Sequence, residues 1–245
     1  MMDFNSASTL SARVSHLIDQ ALEQQNSVQA PRRYLGASRL GVACERALQY
    51  EYANKIVDHG RHAHGRLLRI FRRGHIVEDC MVEWLREAGF DLRTRQDDGE
   101  QFGFSVADGR LQGHIDGVIV GGPDGFEYPM LWENKCLGSK SWRDLQKYKL
   151  AVSKPVYAAQ LALYQAYLDL HEHPALFTAV NADTMEIYVE LVPFDAALAQ
   201  RMSDRAVRVI EATEAGEELP RAFFDSAHME CRMCSWQDRC WGARP

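Results

Sequence analysis

The chain has no apolar run near the roughly 18 residues that a membrane-spanning helix needs, and it has no surplus of positive charge. Its 28 lysines and arginines face 34 aspartates and glutamates, a net charge of −6 over 245 residues. That excludes a protein that coats nucleic acid by overall charge and leaves a local basic strip open. The opening Met1-Met2-Asp3-Phe4-Asn5-Ser6 has no basic segment followed by an apolar one. The expectation is therefore a cytoplasmic chain with no export signal and no membrane partner. There is no repeat, no low-complexity stretch and no P-loop. Apolar residues at 46% and charged residues at 25% exclude a disordered chain and a rod.

Cysteine is sparse but unevenly placed. Of six, Cys231, Cys234 and Cys240 fall near the end. In a chain this long without an export signal, metal binding or free thiols are the expectation rather than disulfides.

Periodicity organises the rest. Residues 7–28 read as a weak polar helix ended by Pro31-Arg32-Arg33, 38–53 as a second helix, and 62–89 as a long third one stopped by Gly89. From 90 to 137 short apolar runs at 101–107, 111–120 and 130–137 are split by turn residues, above all Gly121-Gly122-Pro123-Asp124-Gly125. They read as a meander of strands. Helical patterning returns at 141–150 and 156–171, strands at 176–181 and 186–192, and a last helix at 195–215; from 217 onward the chain reads as irregular. The fold class is α/β (α+β), a central sheet flanked by helices.

The chemistry concentrates in the middle. In the run 111–120, alternation puts His114, Asp116 and Val118 on one face and Ile115 and Ile119 on the other. In 130–137, Glu133 and Lys135 share a face while Trp132 and Asn134 point away. If the two runs are neighbours, Asp116, Glu133 and Lys135 converge. Adjacent carboxylates repel unless a cation joins them, and oxygen ligands suit Mg2+ or Mn2+. A lysine beside such an ion can orient a water or offset developing negative charge. The bland alternative is a hairpin with solvated charges.

Two helices shift the balance. Phe71, Gly74, Glu78, Met81 and Leu85 form one stripe, which puts Glu78 on a core-facing surface where an unpaired carboxylate is costly. Gln160, Leu163, Tyr164 and Tyr167 likewise share a face, so Gln160 is either a satisfied core amide or a donor to the metal site or substrate.

Together these residues resemble the RecB-like branch of the PD-(D/E)XK nucleases, with its restriction-endonuclease-like core. The matching motifs are Gly74-x-x-x-Glu78, Gly113-His114-Ile115-Asp116, Glu133-Asn134-Lys135 and Gln160-x-x-x-Tyr164, in the family's order. Glu78 stands where iron–sulfur members often carry histidine, which is closer to the phage exonuclease type. The resemblance implies that Glu78, Asp116, Glu133 and the Asn134 carbonyl hold Mg2+ or Mn2+. It further implies that Lys135 acts in phosphodiester hydrolysis, and that Gln160 and Tyr164 position the site. The substrate it implies is DNA that is single-stranded or has an end, degraded as by an exonuclease.

Cys231-x-x-Cys234-x5-Cys240 lets one loop direct two sulfurs at one metal, with Cys44 as the candidate fourth ligand. Iron–sulfur members of the family, among them the CRISPR-associated spacer-acquisition nucleases and AddB-type domains, carry one cysteine before the nuclease motifs and three after them. By that resemblance the four hold a 4Fe–4S cluster that clamps the chain ends, while spacing alone leaves Zn2+ open. The expected organisation is 1–60 as a helical segment with one cluster cysteine, 61–215 as the nuclease core and 216–245 as the cysteine segment. Cys80 and Cys136 read as packed thiols, and His62 and His64 as solvated residues.

Arg66, Arg69 and Arg73 share a helical face, and Lys140, Arg143, Lys147, Lys149 and Lys154 follow the catalytic strand. Both strips suit phosphate contacts, and both can equally be solvated faces. The partners implied are DNA and a separate helicase, recombination or CRISPR-adaptation protein, and an oligomer stays open. The alternatives are a non-catalytic nucleic-acid-binding or assembly module that keeps the fold, and a zinc-binding interaction protein.

Overall fold

The hydroxyl of Thr9 accepts the Ala12 N–H at 3.2 Å and so starts the first helix. In the computed structural model, which describes residues 9–30 and 32–242, the element order is α1 (Leu10–Ser27), β1 (Leu35–Gly36), α2 (Glu45–Tyr52), α3 (Gly65–Glu87), β2 (Leu92–Arg93), β3 (Gly103–Val106), β4 (Leu111–His114), β5 (Gly117–Ile119), β6 (Met130–Leu137), α4 (Ser139–Ser153), α5 (Pro155–Tyr167), β7 (Ala175–Asn181), β8 (Ile187–Val192), α6 (Ala196–Glu214), α7 (Met229–Met233) and α8 (Gln237–Trp241). The first two residues of the expected helix at 7–28, and the Met1–Ser6 segment, lie outside the described residues. The chain divides into two units, one drawn from 1–31, 56–75 and 225–245, the other from 32–55 and 76–224. No helix is long and apolar enough to cross a membrane among the described residues.

In the smaller unit, the Glu23 carboxylate accepts the Gly65 N–H at 2.7 Å, and Asp19 pairs with Arg69. Asp58 accepts the Asp238 N–H at 2.6 Å at the start of α8, and Arg61 donates to the Arg232 carbonyl at 2.7 Å. The tail expected to be irregular thus contains two short helices, built around the cysteines and pinned by side chains from far back in the sequence.

The larger unit holds two sheets, ordered β1-β4-β3 and β2-β5-β6-β7-β8. The β6–β7 and β1–β4 pairs are parallel and the remaining pairs antiparallel. One face of the five-stranded sheet packs Met130, Trp132, Leu176 and Val180 against Val77 and Met81 of α3. Leu131, Phe177 and Ala179, on the opposite face, join Leu161 and Leu163 of α5 and Val209 and Ile210 of α6. Burying each large side chain contributes about 1.5–3 kcal/mol, which is what anchors the sheet between helices.

Three expectations need correction. The run 111–120 is not one strand: it breaks at Ile115-Asp116, and its halves pair in different sheets. Ile115 donates its N–H to the Phe102 carbonyl at 3.0 Å, and its own carbonyl accepts Gln101 Nε2 at 3.0 Å, so the chain crosses between sheets there. Alternation fails across the break, and Ile115 and Ile119 end in different apolar clusters. The helix expected at 38–53 is a 3-10 turn (Ala37–Arg39) followed by α2. Lastly, Phe71 does not join the core stripe of α3. It is 54% exposed, and the buried apolar side chains of that helix are Val77 and Met81. The stop at Gly89 is as expected, with φ +93° there and the Phe90 N–H reaching the Leu85 carbonyl at 3.0 Å.

Candidate active site

The antiparallel pairing of β5 with β6, Gly117 opposite Trp132, brings the end of one expected strand beside the start of the other. Asp116, just before β5, accepts the backbone N–H of Asn134 on Oδ2 at 2.8 Å. That bond makes the two motifs neighbours. Along β6 the pleat sends Glu133 and Lys135 toward α5, while Trp132 and Asn134 turn the other way. Trp132 Nε1 donates to Thr178 Oγ1 at 3.1 Å, and that hydroxyl donates to Asn134 Oδ1 at 2.9 Å. The Asn134 side chain is thereby committed to the far face, and only its backbone borders the carboxylates.

Glu133 is 1% exposed. Its Oε1 accepts from Gln160 Nε2 at 2.6 Å and pairs with the Lys135 ammonium; its Oε2 is buried without a hydrogen-bond partner. Burial, then the charges of Asp116 and Glu78, push the Glu133 carboxyl up to about 8, against the pull of Lys135. Burial alone would lower Lys135, but the carboxylates of Glu133 and Asp116 more than reverse that and hold it above the usual lysine range. Both environments agree on one point: the lysine keeps its proton.

Tyr164 is 2% exposed and sits within the field of Glu133. Burial and the carboxylate charges raise it, so its hydroxyl stays protonated. A hydrogen bond links it to Gln160. Gln160 and Tyr164 are one turn apart on α5, which reads the Gln-x-x-x-Tyr spacing as a single contact surface over Glu133. The glycine of the strand motif has its reason here as well. A Cβ on Gly113 would stand 2.6 Å from Tyr164 Cε1 and 2.7 Å from Phe104 Cε1.

The family model for the PD-(D/E)XK nuclease superfamily matches residues 7–241. The chain belongs to that superfamily. No curated protein matches it. Among solved structures, it is similar to the crystal structure of SSO0001, with 15% identity and a TM-score of 0.50, covering 97% of this chain and 100% of that one. It is also similar to an alkaline exonuclease, LHK-Exo, from Laribacter hongkongensis, with 16% identity and a TM-score of 0.51, covering 76% of this chain and 90% of that one. At these identities the likeness is one of fold.

A nuclease of this superfamily would need the carboxylates to hold a divalent cation. Their chemistry fits one: the donors are oxygens, and Glu133 Oε2 is a buried carboxylate oxygen with no hydrogen-bond partner. Among the described residues, no three histidine, cysteine, aspartate or glutamate side chains are drawn together tightly enough to form a metal-binding group. Here the protein's own donors occupy Glu133 Oε1 and Asp116 Oδ2 instead. Glu78, half-buried on α3, bears on Glu133 through its charge.

All six cysteines are half-buried. Cys231 and Cys234 lie on one turn, the Cys234 N–H bonded to the Cys231 carbonyl at 3.1 Å, and the Trp236 N–H points at Cys234 Sγ at 3.5 Å. Cys44 is the residue before α2, within the field of Arg205. Cys136 packs against the apolar face shared with α3. His64 caps the start of α3, its Nδ1 accepting the Leu67 N–H at 3.3 Å.

Of the two basic strips, the first is partly consumed by the Arg69–Asp19 pair. In the second, Lys140, Arg143, Lys147 and Lys149 are exposed, whereas Lys154 is half-buried with Nζ 2.9 Å from Ser153 Oγ. Two residues near the site escape a motif reading. The charge of Arg32 reaches Tyr164, and its guanidinium lies over the Tyr34 ring at 5.1 Å. Nothing in one sequence marks it beyond the helix break it sits in. Tyr157 has its ring 5.3 Å from Lys135 Nζ; it is three residues before Gln160, so helical spacing already places it on the same face.

Proposed function

We propose that the protein is a metal-dependent DNA nuclease that hydrolyses phosphodiester bonds, with an exonuclease acting on single-stranded or end-bearing DNA as the preferred form. One observation carries the reading: in a PD-(D/E)XK chain, Glu133 is buried with an unpartnered oxygen beside Asp116 and an ammonium it pairs with. A fold kept only for assembly gains nothing from so costly an arrangement.

Asp116 and Glu133, with Glu78 and the Asn134 carbonyl, would hold Mg2+ or Mn2+. When bound, such an ion supplies a water of lowered pKa and neutralises charge on the phosphate. Lys135 keeps its proton and is suited to orient the attacking water and to offset negative charge as the water oxygen bonds to phosphorus and the leaving oxygen departs. Gln160 holds Glu133 in place through Oε1. Tyr164 closes the site and excludes water from behind it.

For the cysteines we infer a 4Fe–4S cluster held by Cys44, Cys231, Cys234 and Cys240, supported by their spacing and by the soft thiolate donor set, with Zn2+ as the competing occupant.

The test is degradation of end-labelled single-stranded DNA with Mg2+ or Mn2+, comparing wild type with Lys135→Ala. Metal-dependent cleavage lost in the variant is the expected result. Cleavage that persists in the variant would place the chemistry elsewhere. A wild type that binds DNA without cutting it would favour the non-catalytic module.

A further inference from the structure

We propose that Tyr157 is a positioning residue that holds the Lys135 ammonium at the reacting phosphate, using the face of its ring. The inference rests on the nuclease reading above and adds a residue outside its motifs.

The geometry is specific. Lys135 Nζ lies over the Tyr157 ring, 5.3 Å from its centroid, inside the range where a cation is attracted to an aromatic face. The ring is itself fixed from behind: it stacks on Phe177, with centroids 6.4 Å apart and planes at 28°. Phe177 is fully buried and stands directly opposite Glu133 in the parallel β6–β7 pair. The support for the ring is therefore part of the same sheet that carries the carboxylate and the lysine. Tyr157 also sits on the first turn of α5, its N–H bonded to the Lys154 carbonyl at 2.9 Å, ahead of Gln160 on the same face.

A device of this kind answers a physical need. Lysine is a point charge on a four-carbon flexible stem. The ammonium already pairs with Glu133 on one side, and with nothing opposite it would be drawn further onto the carboxylates, where it would compete with a cation. An aromatic face on the other side attracts the ammonium without neutralising it, and it offers no hydrogen-bond acceptor that would fix a wrong orientation. The Lys135 side chain remains 22% exposed, so the ammonium is held but still reachable.

The experiment is a ring series at position 157: Tyr157→Phe, the isosteric trifluorophenylalanine at the same position, and Tyr157→Leu. Fluorination keeps the shape and drains the negative face. The expected result is kcat near wild type for Tyr157→Phe, a loss of about tenfold for the fluorinated ring and for leucine, unchanged KM for DNA, and equal thermal stability for the two ring variants. A readout independent of activity is the Lys135 ε-methylene proton resonance in metal-free protein. It lies upfield under the ring and moves downfield in Tyr157→Leu. The fluorinated variant decides the matter even if the leucine variant fails to fold. Equal kcat for phenylalanine and its fluorinated analogue, or a tenfold loss already in Tyr157→Phe, overturns the proposal while leaving the nuclease reading standing. Absence of cleavage by the wild type overturns both.

Discussion

The Tyr164 ring stands so close to Gly113 that a Cβ there would lie 2.6 Å from Tyr164 Cε1, with Phe104 Cε1 at 2.7 Å and the Ala37 Cβ at 3.0 Å. Three elements crowd one missing methyl group. Gly113→Ala is therefore expected to destabilise the fold by about 1–3 kcal/mol through overpacking, and to lower cleavage by pushing Tyr164, and with it α5, away from Glu133. Urea unfolding of the variant, alongside its kcat, checks both. An unchanged midpoint would mean that the rings yield without cost.

Gln160 donates to the same Glu133 oxygen that pairs with Lys135. Gln160→Leu removes that donor, leaves Glu133 more strongly protonated and should weaken divalent-ion affinity and activity by about 10–100-fold, the usual cost of losing a group that orients a ligand. The signature is a higher Mg2+ concentration for half-maximal cleavage. A variant that binds Mg2+ as wild type and loses only kcat would put Gln160 on the substrate side.

The buried Glu133 carboxyl also predicts a pH dependence. Its folded value, about 8, lies above its ordinary 4.5, so the bound proton stabilises the metal-free fold. That contribution is complete below about pH 4.5 and is lost as pH rises through about 8. A divalent ion needs the ionised form. Mg2+ should consequently raise Tm more at about pH 8.5 than at about pH 5.5, and Glu133→Gln should show little rise at either pH. An increment larger at the acidic pH would contradict the assignment.

For the cysteines, protein purified without oxygen is expected to contain iron and absorb broadly near about 400 nm. Cys234→Ser and Cys44→Ser should each lose that absorption, whereas Cys80→Ser should keep it. Colourless protein with bound zinc would favour the zinc reading.

How far the sequence alone reached depends on the range of the interaction involved. Long periodic segments such as 62–89 and 195–215 declare themselves because helix formation reads neighbours three and four residues apart, and α3 and α6 lie within them. The pairing of Glu133 with Lys135 on one face followed from the two-residue pleat of a single strand, and the common face of Gln160 and Tyr164 from one helical turn. What the sequence could not state is where regularity breaks. Ile115-Asp116 carries no turn signal; the crossing between sheets is made by bonds to Gln101 and Phe102, more than ten residues away in the chain. Two-residue strands such as β1 and β2 exist only because a partner strand is already there to pair with them. The same holds for the site's electrostatics. A glutamate in a Glu-x-Lys motif has an ordinary carboxyl until Asp116 and Glu78 are brought to it and the solvent is removed, and only tertiary packing does both.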